Sequence, residues 1–200
     1  MFQALLRLDN TFSIDAKKKR VTDAIVQLGL EKCQDTIIGV TGRLRGISGG
    51  EKKRLSFAAE IITNPRLLFV DEPKSGLDAY MAENVISALK TIASEGRTVL
   101  TTIHQPSSKV YQMFDRILLM SEGRTAFIGP KNEAISFFKS LGYPCPLNYN
   151  PADHFVYTLA IIPGDRDYSR EKSIGICEEF CAIRILRNQE SMKMKLFLSK

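Results

Sequence analysis

Three short runs in this chain carry residue types suited to handling phosphate. In Ile47-Ser48-Gly49-Gly50-Glu51, a loop enters a helix. Two glycines there leave backbone amides uncovered at the helix start, and the helix dipole adds positive potential, which suits an anion. An ordinary cap uses the same residues, so the run alone does not choose between them. Leu67-Leu68-Phe69-Val70-Asp71-Glu72-Pro73 is an apolar run closed by two carboxylates. On a strand, those acids emerge at the C-terminal edge, where open α/β sheets bind ligands. Asp71 is placed there to hold Mg²⁺, through water, and Glu72 to orient the water that attacks a γ-phosphate. Acids at strand ends also simply face solvent. In Thr101-Thr102-Ile103-His104-Gln105-Pro106, His104 follows the next strand onto the same edge, within reach of a phosphate oxygen.

The elements that must position these residues alternate between helix and strand. Val21, Ala24, Ile25 and Leu28 have helical spacing, closed by Gly29. A helix from Gly50 to Thr63 is expected to bury Leu55, Ala58, Ala59 and Ile62. Leu67–Val70 suits a strand buried on both faces. Ala79–Ser94 carries one stripe, Met81, Val85, Ala88, Leu89 and Ile92, with Gly96 as its cap. Thr98–Ile103 completes a strand–helix–strand unit, implying parallel strands. A short helix at Ser107–Met113, strands at Arg116–Met120 and Arg124–Ile128, and a helix from Lys131 to Leu141 follow. Tyr143–Asn150 reads as a loop, Gly164–Arg170 as a polar link, and Glu171–Gln189 as a last amphipathic helix. The fold class is α/β.

Composition narrows the classes. The chain has 200 residues, 44% hydrophobic and 25% charged, with a net charge of +6, ordinary values for a globular protein. Cys33, Cys145, Cys177 and Cys181 form no CxxC and read as free thiols, Cys177 and Cys181 on one apolar helix face. No zinc site is expected. Phe155–Ile162 is the most tempting apolar stretch and is too short to span a bilayer. Lys17-Lys18-Lys19-Arg20 has no interleaved aromatics and reads as a solvated helix entry, with no nucleic-acid partner.

In order and spacing, Ile47–Glu51, Leu67–Glu72, Ser75-Gly76-Leu77-Asp78 and His104 resemble the second half of an ATP-binding cassette. Ser48–Glu51 resembles the signature motif, Leu67–Glu72 the Walker B strand with its catalytic glutamate, Ser75–Asp78 the D-loop and His104 the switch histidine. Lys52-Lys53-Arg54-Leu55-Ser56, Gly96-Arg97-Thr98, the run from His104 to Ser108, and Asn150-Pro151-Ala152-Asp153 resemble the G subfamily, in its White-type branch.

The resemblance implies ATP and Mg²⁺ as ligands and transport of small organic pigment precursors as the driven process. It implies a second half-transporter as partner, in a homo- or heterodimer, and a position on the cytoplasmic face of a plasma or pigment-granule membrane. Glu72 and His104 are then catalytic, Asp71 serves magnesium, and Ser48, Gly49, Gly50 and Glu51 hold the partner's nucleotide. Ser75, Gly76, Leu77 and Asp78 carry signals between cassettes. No G-x-x-x-x-G-K-[ST] occurs; Gly42 and Gly46 are the nearest approaches, and no glycine precedes a lysine. The chain therefore reads as a piece of a cassette, soluble in the cytosol by itself and inactive by itself, whose membrane domain lies beyond these residues. Its expected parts are 1–60 (helical subdomain remnant with the signature), 61–130 (α/β core and following strands), 131–165 (C-terminal helices) and 166–200 (linker helix and tail). Two other readings remain at this stage: a non-catalytic or regulatory partner that lends its signature motif to a complete cassette, and a decayed gene fragment. Two positions depart from the family pattern. Lys74 stands where a threonine is usual, and His154 where an aromatic follows Asn-Pro-Ala-Asp. Lys193, Lys195 and Lys200 suggest contact with anionic lipid.

Overall fold

Local capping signals set most helix starts. In the computed structural model, which describes residues 1–40 and 44–198 with side chains to residue 186, Ser13, Ser48, Asp78, Ser107 and Asn150 each accept a hydrogen bond from an amide of the helix they precede. Gly42 and the side chains of Lys193, Lys195 and Lys200 lie outside the described residues. The chain divides into two compact units, Met1–His104 and Gln105–Lys200.

In the first unit, α1 (Phe2–Arg7) and α2 (Ile14–Gln27) precede an isolated antiparallel bridge in which Val40 and Leu44 exchange backbone bonds. Helix α2 begins seven residues before the stripe at Val21, because Ser13 caps it and the basic run continues it. That run is not uniformly solvated: Lys17 is buried, its Nζ donating to the Leu8 carbonyl at 2.9 Å. Helix α3 (Gly49–Ile61) packs on α4 (Ala79–Ser94). Helix α3 buries Phe57 and Ile61 besides the expected Ala58, with Ile62 just beyond its end, while Leu55 and Ala59 are only half-buried. Strands β1 (Leu67–Val70) and β2 (Thr98–Thr101) pair in parallel, Val70 opposite Thr101. The expectation of a strand buried on both faces fails: Leu68 is buried, but Phe69 is 69% exposed and Leu100 54%. With two strands in this sheet, the face opposite Leu68 has no covering layer among the described residues.

The second unit is built on aromatics. Helix α5 (Ser108–Met113) leads to an antiparallel pair, β3 (Arg116–Ser121) and β4 (Arg124–Pro130). Then come α6 (Lys131–Ser140), α7 (Pro151–Leu159) and α8 (Arg166–Leu198). Phe138 and Phe155 are fully buried, their ring centroids 4.8 Å apart, and Phe127, Tyr111 and Ile176 pack around them. The apolar stretch at Phe155 belongs to α7, which the sequence reading did not delimit. Helix α8 begins inside the expected polar link, with Ser169 and Ser173 buried. Cys177 is buried and Cys181 exposed, so the two do not share the apolar face. No helix among the described residues is long and apolar enough to cross a membrane.

Candidate functional site

The glycine-rich helix start and the β1 edge belong to the first unit and meet through the loop after Pro73. Ser48 closes a capping box: its Oγ accepts from the Glu51 amide at 3.2 Å, and Glu51 Oε2 accepts from the Ser48 amide at 2.7 Å. Those bonds hold the Glu51 carboxyl below its ordinary pKa. Burial, then the Glu51 charge, pushes the nearby Cys33 thiol up. The amides of Gly49 and Gly50 belong to the first turn, which precedes any intrahelical bond and is free to meet an anion. Ser48 and Gly49 are exposed, while Gly50 is buried against Met81 of α4. A Cβ built on Gly49 would lie 3.2 Å from Leu77 Cδ2. The start of α3 and the Ser75–Asp78 loop are therefore in contact.

The loop from Asp71 to Asp78 is held by its own bonds. Ser75 N–H donates to the Glu72 carbonyl and Leu77 N–H to the Lys74 carbonyl, both at 3.1 Å. Gly76 takes φ +74°, a left-handed conformation that costs other residues. Pro73 is fully buried and anchors the turn. Asp78 ends it as the α4 N-cap, Oδ1 accepting from the Met81 amide at 2.8 Å. Lys74 is half-buried in this turn.

At the strand ends, hydrogen bonds set Asp71 and Glu72 beside Thr102, and the chain continues past the end of β2 to His104. Asp71, Glu72 and His104 are all exposed. Thr102 Oγ1 donates to Asp71 Oδ1 and accepts from the Glu72 amide at 3.0 Å. Glu72 sits at φ +41°, a strained conformation for a residue with a side chain. The sequence reading passed over Thr102; its signal was a hydroxyl one register step beyond the last paired residue of β2. The donors fit Mg²⁺, which takes one or two carboxylates and completes its shell with water and phosphate oxygens.

His154, the other departure, is half-buried in α7. Its Nε2 lies 3.1 Å from the Tyr143 carbonyl, and its ring is 5.8 Å from that of Phe155 and 6.5 Å from that of Phe138. It fills an aromatic position as a packed ring.

A parallel strand pair ending in an acid pair, with a glycine-rich helix start held against the following loop, has the form of part of an ATP-binding cassette. Residues 1–75 match the family described as ABC transporter, and residues 104–179 the family described as ABC-2 type transporter. The chain belongs to the ABC transporter family and carries part of its ATP-binding domain. It is 48% identical over 199 residues to Protein white of Ceratitis capitata, covering 100% of this chain and 29% of that protein. It is 48% identical over 165 residues to ABC transporter G family member 14 of Arabidopsis thaliana, covering 82% of this chain and 25% of that protein. The chain thus spans less than a third of the length of these relatives. In fold, it is similar to cbiO1 of Clostridium perfringens, part of the ABC transporter complex cbiONQ. The TM-score is 0.52 and the identity 23%, over 69% of this chain and 55% of that one.

Proposed function

We propose that, in the complete protein, these residues are the part of a White-type half-transporter's nucleotide-binding cassette that carries the signature motif and the hydrolytic edge. ATP is the substrate, and its hydrolysis drives passage of small organic molecules, pigment precursors among them, across a membrane on whose cytoplasmic face the cassette lies. The supporting observation is the single edge at which β1 and β2 end, with the Asp71 carboxylate and the Glu72 amide both hydrogen-bonded to the Thr102 hydroxyl and His104 following.

Glu72 accepts the proton of the attacking water and orients it toward the γ-phosphate. His104 donates a hydrogen bond to a γ-phosphate oxygen. Asp71 holds the water shell of Mg²⁺, which when bound screens the β- and γ-phosphate charge. Ser48, Gly49 and Gly50, with Glu51 bracing the cap, present their helix start to the nucleotide of a second cassette. Ser75–Asp78, packed on Gly49 through Leu77, reports that nucleotide back to Glu72. A cradle and lysine for the β- and γ-phosphates are not encoded in these 200 residues, so the second cassette supplies them to the nucleotide that Ser48–Glu51 faces.

Capture of the chain by a complete White-type half-transporter tests this reading. Capture is expected with Mg-ATP and not without it, and is lost in Gly49→Asp. Nucleotide-independent capture, or none, overturns the reading. The chain by itself is expected to show no Mg-ATP turnover; turnover abolished by Glu72→Gln overturns that expectation.

A further inference from the structure

We propose that Thr102 is the positioning residue of the acid pair, the side chain that sets Asp71 and Glu72 against the end of β2. The Thr102 amide donates to the Val70 carbonyl at 3.1 Å. In a parallel ladder the next bond runs from the residue 72 amide to the residue 102 carbonyl. Here the Glu72 amide goes to the Thr102 hydroxyl instead, at 3.0 Å, and that hydroxyl donates its own proton to Asp71 Oδ1. One hydroxyl offers one proton and two lone pairs, so both bonds are satisfied together.

Three consequences follow from that substitution. Glu72 leaves the ladder and holds φ +41° with its amide still paired. Asp71 has Oδ1 committed, leaving Oδ2 to meet a cation or its water. Because His104 follows Thr102 by two residues, one hydroxyl ties both acids to the segment that leads from β2 to the histidine. Valine matches threonine in shape but cannot bridge; serine can.

This proposal rests on reading Asp71 and Glu72 as the acid pair of a nucleotide site. Site-resolved amide hydrogen exchange on the 200-residue chain tests it. In Thr102→Val the Glu72 amide is expected to exchange about fivefold faster, the loss of one ordinary hydrogen bond, while Thr98 stays within about twofold. The Thr98 amide is bonded to the Arg66 carbonyl at 2.8 Å and makes a suitable internal control. Thr102→Ser restores the Glu72 rate, and Thr102→Ala repeats the local acceleration should valine fold poorly. An unchanged Glu72 rate, failed rescue by serine, or uniform acceleration at every amide in both the valine and alanine variants overturns the proposal. ATP-dependent capture is read on the same samples. Absent capture of the unaltered chain overturns the nucleotide reading whatever the exchange shows; intact capture with unchanged exchange overturns the Thr102 assignment alone.

Discussion

Ser48 and Glu51 cap helix α3 reciprocally, each side chain taking the other's backbone amide, at 3.2 and 2.7 Å. The bond that stiffens the start of α3 therefore also places a carboxylate at its positive end. Because the Ser48 bonds hold the Glu51 carboxyl below its ordinary value, the cap's electrostatic part is complete above the ordinary glutamate range. It is lost as pH falls through the lowered folded value. Ser48→Ala is expected to cost about 1 kcal/mol. Glu51→Gln keeps the box but flattens the acid limb of stability against pH, measured by urea melts across that limb.

Gly49→Asp separates folding from anion binding. An acid in the first turn suits the helix dipole, and the 3.2 Å approach to Leu77 Cδ2 is relieved by a side-chain shift. Stability should change by less than about 1 kcal/mol. ATP-dependent capture should vanish, since the new charge faces the phosphate. A Gly49→Asp chain that melts normally and is still captured would contradict the placement of the nucleotide at this helix start.

The basic run of α2 should divide under mutation. Lys17 is 4% exposed and bonded to the Leu8 carbonyl, so Lys17→Ala should cost about 1–3 kcal/mol, leaving that carbonyl without its donor. Lys18→Ala and Lys19→Ala, on exposed positions, should stay within about 0.5 kcal/mol. Chemical denaturation of the three variants measures the split.

Tyr111 supplies a marker for the second unit. Its ring is buried and its hydroxyl donates to the Lys131 carbonyl at 3.2 Å. Burial, with a smaller push from Cys145, raises its pKa to about 12. The unfolded chain releases this proton first, so the contribution is complete below the ordinary value of 10.0 and is lost as pH rises from there toward about 12. Ultraviolet titration should show a late phenolate that is absent in Tyr111→Phe, and the variant's alkaline stability should fall less steeply.

Much of the frame was legible in the residues. Helix α4 runs from Ala79 to Ser94 in both readings, since Asp78, the apolar stripe and Gly96 act within a few residues of one another. The parallel pairing of β1 with β2 followed from two apolar runs with a helix between them. The candidate residues at Ser48–Glu51, Asp71–Glu72 and His104 were picked out by type and order, and the structure adds that Asp71 and Glu72 both bond to Thr102.

What the sequence determined was local: caps, periodicity and the order of motifs. What tertiary structure decided was which partner each group meets. Whether Phe69 is covered depends on the layers packed against β1. Lys17 is buried because the Leu8 carbonyl, nine residues away, needs a donor. The Thr102 hydroxyl reaches Asp71 and Glu72 across 30 residues only because parallel pairing sets them side by side. Propensity and capping act over a turn of chain, whereas burial and cross-strand bonds depend on the whole packed fold.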